Sequence, residues 1–427
     1  MNVIKYPQKE EWDELLKRPV MNVDTLRETV CRVLDDVKTG GDRTVMAYEK
    51  QFDHVELERL AVTEEEMDEA ERLVSPELKD ALRLAHDNIG KFHASQRFET
   101  TKVEVRPGVT CWQKAVPIER VGLYIPGGTA PLFSTVLMLA TPAKIAGCRE
   151  IVLCTPPGRD GKVHPAILCA ARVAGVNRIF KAGGVQAIYG TESVPKVYKI
   201  FGPGNQYVMA AKQQVSLHDV AIDMPAGPSE VAVLADAGSN PVFVAADLLS
   251  QAEHGVDSQV LLVTTDEALV GKVQDEVERQ LAALPRKEIA KQALAHSKLV
   301  VVRDMDEALE LTNRYAPEHL IIETADYLQA AERVVNAGSV FLGSYTPESA
   351  GDYASGTNHT LPTNGYATAY SGVNLDSYHR KITFQELTPQ GIRDIGPAVE
   401  LMAAGEHLDA HRNAMTVRLE SIKTEMK

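Results

Sequence analysis

The stretch Val121-Gly122-Leu123-Tyr124-Ile125 is a short apolar run that ends at the turn Pro126-Gly127-Gly128. Similar runs follow it at intervals of about 20 to 30 residues, and helical patterns lie between them. These further runs are residues 151–154, 178–180 and 197–201. Short apolar strands that alternate with helices are typical of a parallel βαβ sheet. The pattern therefore predicts a Rossmann-like parallel-sheet domain in this region.

A second series of apolar runs begins after Pro225-Ala226-Gly227-Pro228. It consists of residues 231–234, 260–263, 299–302, 320–322 and 339–342. Helical patterns such as 242–254 and 325–336 lie between these runs, so the same reasoning predicts a second parallel sheet. The predicted fold class is α/β, with two Rossmann-like parallel-sheet domains, a helical N-terminal region and a small C-terminal helical and extended portion.

The regions outside the two sheets carry weaker patterns. Amphipathic helices are predicted near residues 24–50 and 63–96, and a hairpin is predicted around Pro107-Gly108. Residues 345–395 read as loop, and one long helix follows to the end. The predicted domains are 1–115 (helical region and hairpin), 116–225 (first Rossmann-like domain), 226–345 (second Rossmann-like domain) and 346–427 (C-terminal loop and helix).

Composition excludes several classes of partner and location. A net charge of −14 without a Lys/Arg cluster argues against a nucleic-acid partner. No stretch approaches the roughly 20 consecutive apolar residues of a membrane span. Five cysteines without C-x-x-C spacing fit reduced thiols, so we expect a cytoplasmic protein. Cys148 and Cys154 are expected to be packing thiols rather than nucleophiles, because neither has a basic neighbour in sequence.

Three glycine-containing turns follow strands of the first series, at 126–128, 183–186 and 202–205. We expect each parallel sheet to gather its ligand-binding loops at the carboxyl ends of its strands. Glycines let backbone N–H groups approach a phosphate, and the last turn is expected to open a helix. No G-x-G-x-x-G motif is present, so the layout suggests dinucleotide binding and leaves it open.

Glu318 and His319 stand directly before the apolar run Leu320-Ile321-Ile322. A carboxylate beside an imidazole can handle protons, and neighbours at a strand edge are expected to point in different directions. The alternative is a solvated Glu318 and a His319 that satisfies a local hydrogen bond.

Other candidate residues lie in three short segments. Gln251 and His254 share a face near the end of a predicted helix and could bind zinc, or could form a solvated helix end. Asp352 and His359 lie in residues 349–359, which contain too much Gly, Ser and Asn for a helix and are expected to be a binding loop. Glu406 and His411 are predicted at the start of the last helix. They are five residues apart, and at this helical spacing their side chains point in different directions.

Together these segments resemble histidinol dehydrogenase, a zinc enzyme of histidine biosynthesis, from about residue 100 onward. The most specific segments are 223–230, 250–254, 316–320 and 351–363. The resemblance implies one zinc ion per subunit, held by Gln251, His254, Asp352 and His411. These four residues, with Ser229, His319, His359 and Glu406, match the substrate-contacting positions. Tyr124, Gln186 and Asn205 match the positions that contact NAD.

The resemblance also implies a reaction and an assembly. L-histidinol would be oxidised through L-histidinal to L-histidine with two NAD and one water, zinc orienting the substrate. His319 would be the general base, and Glu318 would activate the water. The protein would be a homodimer whose swapped C-terminal portions bring Glu406 and His411 into the partner's site. A paralogous dehydrogenase of another polar alcohol, such as a sulfonated diol, and a non-catalytic zinc- or nucleotide-binding protein are the alternatives.

Overall fold

Most strands of the protein are short and apolar. A computed structural model describes residues 1–18, 23–127 and 130–425, so Gly128 of the first predicted turn lies outside the described residues. In chain order the strands are β1 Asn2–Lys5, β2 Val103–Arg106, β3 Val109–Pro117, β4 Arg120–Tyr124, β5 Glu150–Thr155, β6 Arg178–Lys181, β7 Lys199–Phe201, β8 Ala221–Ile222, β9 Glu230–Ala235, β10 Gln259–Thr264, β11 Lys298–Val301, β12 His319–Glu323, β13 Ser339–Leu342 and β14 His379–Leu387.

Helices alternate with these strands over most of the chain. In chain order they are α1 Trp12–Leu15, α2 Val23–Tyr48, α3 Glu64–Leu73, α4 Pro76–Ala94, α5 Phe133–Ala146, α6 Pro165–Ala174, α7 Gln206–Ser216, α8 Pro241–Ala252, α9 Glu267–Leu281, α10 Lys287–Ala295, α11 Met305–Tyr315, α12 Tyr327–Ala331, α13 Glu348–Tyr353, α14 Pro389–Gly405 and α15 Asp409–Glu425.

The chain divides into two units, one of residues 1–96 and 118–378 and the other of residues 97–117 and 379–427. The first unit holds two sheets whose strands are all parallel, in the orders β6-β5-β4-β7-β8 and β1-β11-β10-β9-β12-β13. Every apolar run predicted as a strand lies in one of them, so the prediction of two parallel sheets is confirmed. Strands β1 and β8 were not predicted, since β1 is a largely exposed edge and β8 has two residues.

Helices cover both faces of each parallel sheet. Helices α4, α5 and α6 pack on one face of the first sheet, and α2 and α7 pack on the other. In the second sheet α8, α9 and α10 oppose α1 and α11. Double coverage explains why strands such as β9 are buried throughout and read as continuous apolar runs. Cys148 and Cys154 are buried in the cores on the two faces of the first sheet, as predicted for packing thiols, and burial raises the pKa of each to about 12.

Several helix boundaries differ from the predictions. Helix α2 is kinked at Gly41, where φ is 58°, and a π-helical turn, Glu49–Asp53, continues it. The helix predicted over 63–96 is two helices, because Ser75 caps α4 and Pro76 is its first residue. Between residues 325 and 336 only Tyr327–Ala331 is α-helical.

The second unit contains the hairpin and the C-terminal segments. Strands β2 and β3 form the predicted hairpin, and β14 pairs antiparallel with β3. The prediction of loop up to residue 395 is therefore wrong at β14, which is mostly exposed and lacks a buried apolar pattern. The prediction of one long helix at the end of the chain is also wrong. Helices α14 and α15 are separated at residues 406–408, where His407 has a left-handed φ of 58°.

Candidate active site

A cavity of about 820 Å³ opens within the first unit, between its two sheets. On the side of the first sheet it is lined by residues that follow β4, β6 and β7, so the glycine-containing turns lie together at the carboxyl ends of these strands. The second sheet contributes its amino ends instead, because Ser229 precedes β9 and Glu318 and His319 stand at the start of β12. The expectation of carboxyl ends is therefore wrong for the second sheet.

The opposite edge of the second sheet is closed by its own hydrogen bonds. The Ser239 hydroxyl donates to the carbonyl oxygen of Glu323 at 2.5 Å, and Asp236 accepts from the N–H of Ala325 at 2.8 Å. The turns at the carboxyl ends of β9 and β12 therefore bind one another and do not line this cavity.

Glu318 and His319 are both buried and point into the same cluster. Glu318 Oε2 accepts a hydrogen bond from the N–H of Glu230 at 2.9 Å and lies 3.7 Å from His319 Nδ1. The expectation that the two side chains diverge is wrong, because the strand begins at His319 and the residue pair follows a left-handed turn at Ala316. A solvated Glu318 is excluded by its 6% exposure.

Three carboxyl groups surround the imidazole of His319. Its Nε2 lies 3.5 Å from Asp352 Oδ1, and its Nδ1 lies 3.8 Å from Glu348 Oε1. Burial alone lowers the pKa of His319, but Glu348, Glu318 and Asp352 together raise it to about 10. Burial raises the pKa of Glu318 to about 8. These groups lie close enough that the protonation of one affects the pKa of the others.

Buried oxygen atoms without partners mark one side of this cluster. Gln251, on the last turn of α8, is fully buried, and its Oε1 has no hydrogen-bond partner in the structure. The same holds for Asp352 Oδ1 and for both carboxyl oxygens of Glu348. Donor atoms of His254, Glu348 and Asp352 lie within 4.8 Å of one another. Unsatisfied buried oxygens beside an imidazole are costly unless a cation binds them, and this donor set fits zinc.

Asp352 lies on helix α13, so the predicted loop conformation is wrong at this residue. Gly351 allows the helix to pack closely against Phe341, because a Cβ at this position would lie 2.6 Å from Phe341 Cε1. Close packing against β13 thus outweighs the poor helix propensity of the segment. Burial tends to raise the pKa of Asp352, but the neighbouring histidines outweigh this effect and lower it.

His359 and His254 also face the cavity. His359 Nδ1 donates to the carbonyl oxygen of Asp352 at 2.9 Å, and its Nε2 lies 3.0 Å from the Thr135 hydroxyl, which donates to it. His254 follows α8, and its N–H donates to the carbonyl oxygen of Gln251. Desolvation by the surrounding protein lowers the pKa of both histidines.

The other end of the cavity is built from the glycine turns. Tyr124, the last residue of β4, accepts a hydrogen bond on its hydroxyl from the N–H of Gly184 at 3.0 Å. Asn205 caps α7 by accepting from the N–H groups of Tyr207 and Val208, so the turn opens a helix as predicted. Gly202 has φ of 128°, and a Cβ there would lie 2.1 Å from the carbonyl oxygen of Tyr124. Gln186 is buried beside Gly184.

Sequence reasoning missed several residues of the cavity and its support. Thr135 reaches His359 across 224 positions, and Glu49 reaches Gln186 across 137, so no local pattern could reveal them. Glu348 directly precedes the segment 349–359, and its carboxylate could have been suspected. Asp223 begins the segment 223–230, and its carboxylate holds the N–H of Gly202.

Glu406 and His411 belong to the second unit, where both are exposed. Glu406 directly follows α14, and His411 lies in the first turn of α15, so they do not share one helix. Their assignment to a substrate and metal site stays a prediction.

Comparison with known proteins places this geometry in a family. The profile of the histidinol dehydrogenase family matches residues 16–419. The chain belongs to the histidinol dehydrogenase family. Histidinol dehydrogenase of Bacteroides thetaiotaomicron is 71% identical over 99% of this chain and all of its own length. That of Escherichia coli O6:H1 is 51% identical over 97% of this chain and 96% of its own.

A solved structure shares the fold of this family member. The crystal structure of histidinol dehydrogenase from Elizabethkingia anophelis has a TM-score of 0.97 and 53% identity, and 99% of each chain is covered. The family profile begins at residue 16, so the similarity extends to the N-terminal helices as well as the segments that first indicated it. Among the described residues, no helix has the length and apolar character needed to cross a membrane.

Proposed function

We propose that the protein is a zinc-dependent histidinol dehydrogenase that oxidises L-histidinol through L-histidinal to L-histidine with two NAD and one water. One observation carries the proposal. Glu318 and His319 line a single cavity with His254 and Asp352, two of the proposed zinc ligands, and with Tyr124, Gln186 and Asn205, which match NAD-contacting positions. The finer assignments follow from family membership together with this placement.

Zinc would be held by Gln251, His254 and Asp352 in this chain. The unpartnered oxygens of Gln251 and Asp352 and the adjacent imidazole of His254 support this set, and a fourth ligand is proposed to be His411. When bound, zinc supplies a Lewis acid that orients the nitrogen atoms of the amino alcohol.

His319 is proposed as the general base of both oxidations. Each oxidation transfers one hydride to NAD and leaves one proton for a base. The imidazole of His319 lines the cavity, and carboxyl oxygens of Glu318, Glu348 and Asp352 lie 3.5 to 3.8 Å from its nitrogens, where they can accept that proton in turn. Glu318 would activate the water that attacks the aldehyde, and its fixed carboxylate supports this role. Ser229, His359 and Glu406 would contact the substrate.

At the other end of the cavity, Tyr124, Gln186 and Asn205 would contact NAD. Gly127, Gly184 and Gly204 line this end, and glycines let backbone N–H groups approach a dinucleotide phosphate. The assembly is proposed to be a homodimer with swapped C-terminal portions, each supplying Glu406 and His411 to the partner. The free cysteines and the biosynthetic family favour a cytoplasmic location.

The stoichiometry of the reaction tests the proposal directly. The purified protein should form two NADH per L-histidinol consumed, with histidine as the product. No turnover, or one NADH without histidine, would reject it. A sulfonated diol assayed in parallel distinguishes the paralogous dehydrogenase, which would turn over that alcohol and not histidinol.

Variants at the proton-handling pair separate catalysis from binding. His319→Asn and Glu318→Gln should each lower the rate by about 100-fold or more while the zinc content stays near one per chain. His254→Ala should instead lower the zinc content, measured by elemental analysis of the purified protein. Full activity in both His319→Asn and Glu318→Gln would show that the proton-transfer roles are assigned to the wrong residues, whereas no turnover by the wild-type protein would favour the non-catalytic alternative.

A further inference from the structure

Helix α2 and the π-helical turn after it form one wall of the cavity, at the end proposed to bind NAD. Thr29 and Val33 of α2 line this wall, and so do Phe52 and Asp53 from the π-helical turn that follows α2. Between these contacts lies Glu49, the first residue of the turn, which is 0% exposed. Single π-helical turns are rare and are frequently found at functional sites.

One carboxylate oxygen of Glu49 binds two groups of the glycine turn. Its Oε1 accepts hydrogen bonds from the N–H of Gly183 at 2.9 Å and from Nε2 of Gln186 at 2.8 Å. A carboxylate oxygen accepts from both donors, so the amide nitrogen of Gln186 must face Glu49 and its Oε1 must face away.

The orientation of the Gln186 amide leaves an acceptor free. Gln186 Oε1 is buried without a hydrogen-bond partner in the structure. Gly184 leaves room beside this oxygen, because a Cβ at position 184 would lie 2.9 Å from it. Gln186 also lines the cavity, so a molecule bound there would lie beside this side chain. A buried acceptor without a partner is costly in the empty protein and is satisfied when a ligand donates to it.

The second carboxylate oxygen of Glu49, Oε2, can take up a proton without breaking the hydrogen bonds that Oε1 accepts. Oε2 is buried and has no hydrogen-bond partner in the structure. Burial raises the pKa of Glu49 to about 7, and nearby Asp53 adds to the effect. A proton on Oε2 leaves Oε1 as an acceptor, so the bonds to Gly183 and Gln186 form in either state.

We propose that Glu49 is a positioning residue for NAD, which fixes the Gly183-Gly184 turn and presents Gln186 Oε1 as a hydrogen-bond acceptor to the dinucleotide. This role rests on the proposed function, since it takes the cavity end at Tyr124, Gln186 and Asn205 to be the NAD site. It gives the N-terminal helical region a part in cofactor binding that its position in the chain does not suggest.

Glu49→Leu tests the role with little change of side-chain volume. The variant leaves the N–H of Gly183 and the amide of Gln186 without their acceptor, so the KM and the Kd for NAD should rise about tenfold or more. The KM for L-histidinol and kcat should change less than about threefold, because the substrate end of the cavity is untouched. Glu49→Gln, which keeps an oxygen acceptor, should restore the KM for NAD to near the wild-type value.

A matched control separates this role from general packing. Val37 lies on α2 and is as buried as Glu49, yet it does not line the cavity. Val37→Ala should lower the midpoint of thermal unfolding without changing the KM for NAD. A double-variant cycle then asks whether Glu49 acts through Gln186: Glu49→Leu combined with Gln186→Ala should bind NAD no more weakly than the worse of the two single variants.

Three results would overturn the role: an unchanged KM for NAD in folded Glu49→Leu, a Glu49→Gln variant as impaired as Glu49→Leu, or effects of Glu49 and Gln186 that multiply. If Glu49→Leu does not fold, Glu49→Asp withdraws the carboxylate by one methylene and must raise the KM for NAD. Failure of the proposed function is distinguishable, because the wild-type protein would then form no NADH from L-histidinol.

Discussion

Lys212 and Asp223 form a buried ion pair beneath the turn that starts with Gly202. Lys212 Nζ donates to Asp223 Oδ1 at 2.6 Å and to the carbonyl oxygen of Gly202 at 2.7 Å, and both side chains are at most 2% exposed. Lys212→Met should lower the free energy of unfolding by about 3 to 5 kcal/mol, because it strands a buried carboxylate. Chemical denaturation measures the loss.

Lys38 is the matched control, since it also pairs with an aspartate, Asp219, but at 3.5 Å on the surface. Lys38→Met should leave the denaturation midpoint almost unchanged. Equal midpoints for the two variants would mean that Asp223 finds other compensation and that the pair is not a major support of the turn.

The residues that sequence could identify are those whose chemistry is local. Glu318 and His319 adjoin an apolar run, and Asn205 stands where a turn opens a helix, so local pattern singled them out as candidates, and the resemblance to a family then implied their roles. Glu49 and Thr135 could not be found in this way, because their partners are brought near only by tertiary packing. The directions of the Glu318 and His319 side chains were also beyond sequence, since they depend on the left-handed turn at Ala316.

At the scale of elements, the kink of α2 at Gly41 is a specific requirement of the fold. Gly41 has φ of 58°, and a Cβ there would lie 2.1 Å from Glu192 Oε2, which accepts a hydrogen bond from the N–H of Asp42. Gly41→Ala should therefore destabilise the protein by about 2 kcal/mol or more.

Gly271 provides the opposite case within α9, where a Cβ would meet no atom within 4 Å. Gly271→Ala should stabilise the protein by about 0.5 to 1 kcal/mol, because alanine loses less backbone entropy in a helix. Thermal unfolding of Gly41→Ala and Gly271→Ala shows whether each change raises or lowers the unfolding temperature. A stabilising Gly41→Ala would show that the kink is not needed.

Helix α8 and strand β12 meet through a carboxyl pair, Asp247 and Glu323. Burial raises the pKa of Asp247 to about 7 and that of Glu323 to about 8, from ordinary values of 3.8 and 4.5. Between about pH 4 and pH 8 the folded protein therefore retains protons that the unfolded chain has released, so this pair lowers stability as pH rises.

Glu323→Gln removes one of these two titrations. The unfolding temperature of the variant minus that of wild type should therefore increase between pH 5 and pH 8, by about 1 to 3 °C. Scanning calorimetry at the two pH values measures this difference. A difference that does not change with pH would show that the pair is ionised alike in the folded and unfolded states.

Element patterns explain which parts of the fold were predictable. The central strands of the two parallel sheets, such as β9 and β10, are buried on both faces, so their apolar runs were visible in sequence. Strand β14 is mostly exposed and gave no such signal. Helix α13 forms because Gly351 packs closely against Phe341, a contact that outweighs local propensity.

At the scale of the whole molecule, the proposed swap of C-terminal portions predicts complementation between two inactive variants. His254→Ala impairs the first unit, and His411→Ala impairs the second. In a swapped heterodimer of these variants, one site combines an intact first unit with an intact second unit from the other chain. Co-expression should therefore restore about a quarter of wild-type activity, because half of randomly paired dimers carry one intact site of two.

Without a swap, each chain of that heterodimer would keep its own defect, and co-expression would restore nothing. His254→Ala co-expressed with Gln251→Ala is the matched control, since both changes lie in the first unit and leave no intact site in either arrangement. Activity in the first combination alone supports the swap. Activity in both would point to recombination or residual function, and activity in neither would assign His411 to the site of its own chain or to no site at all.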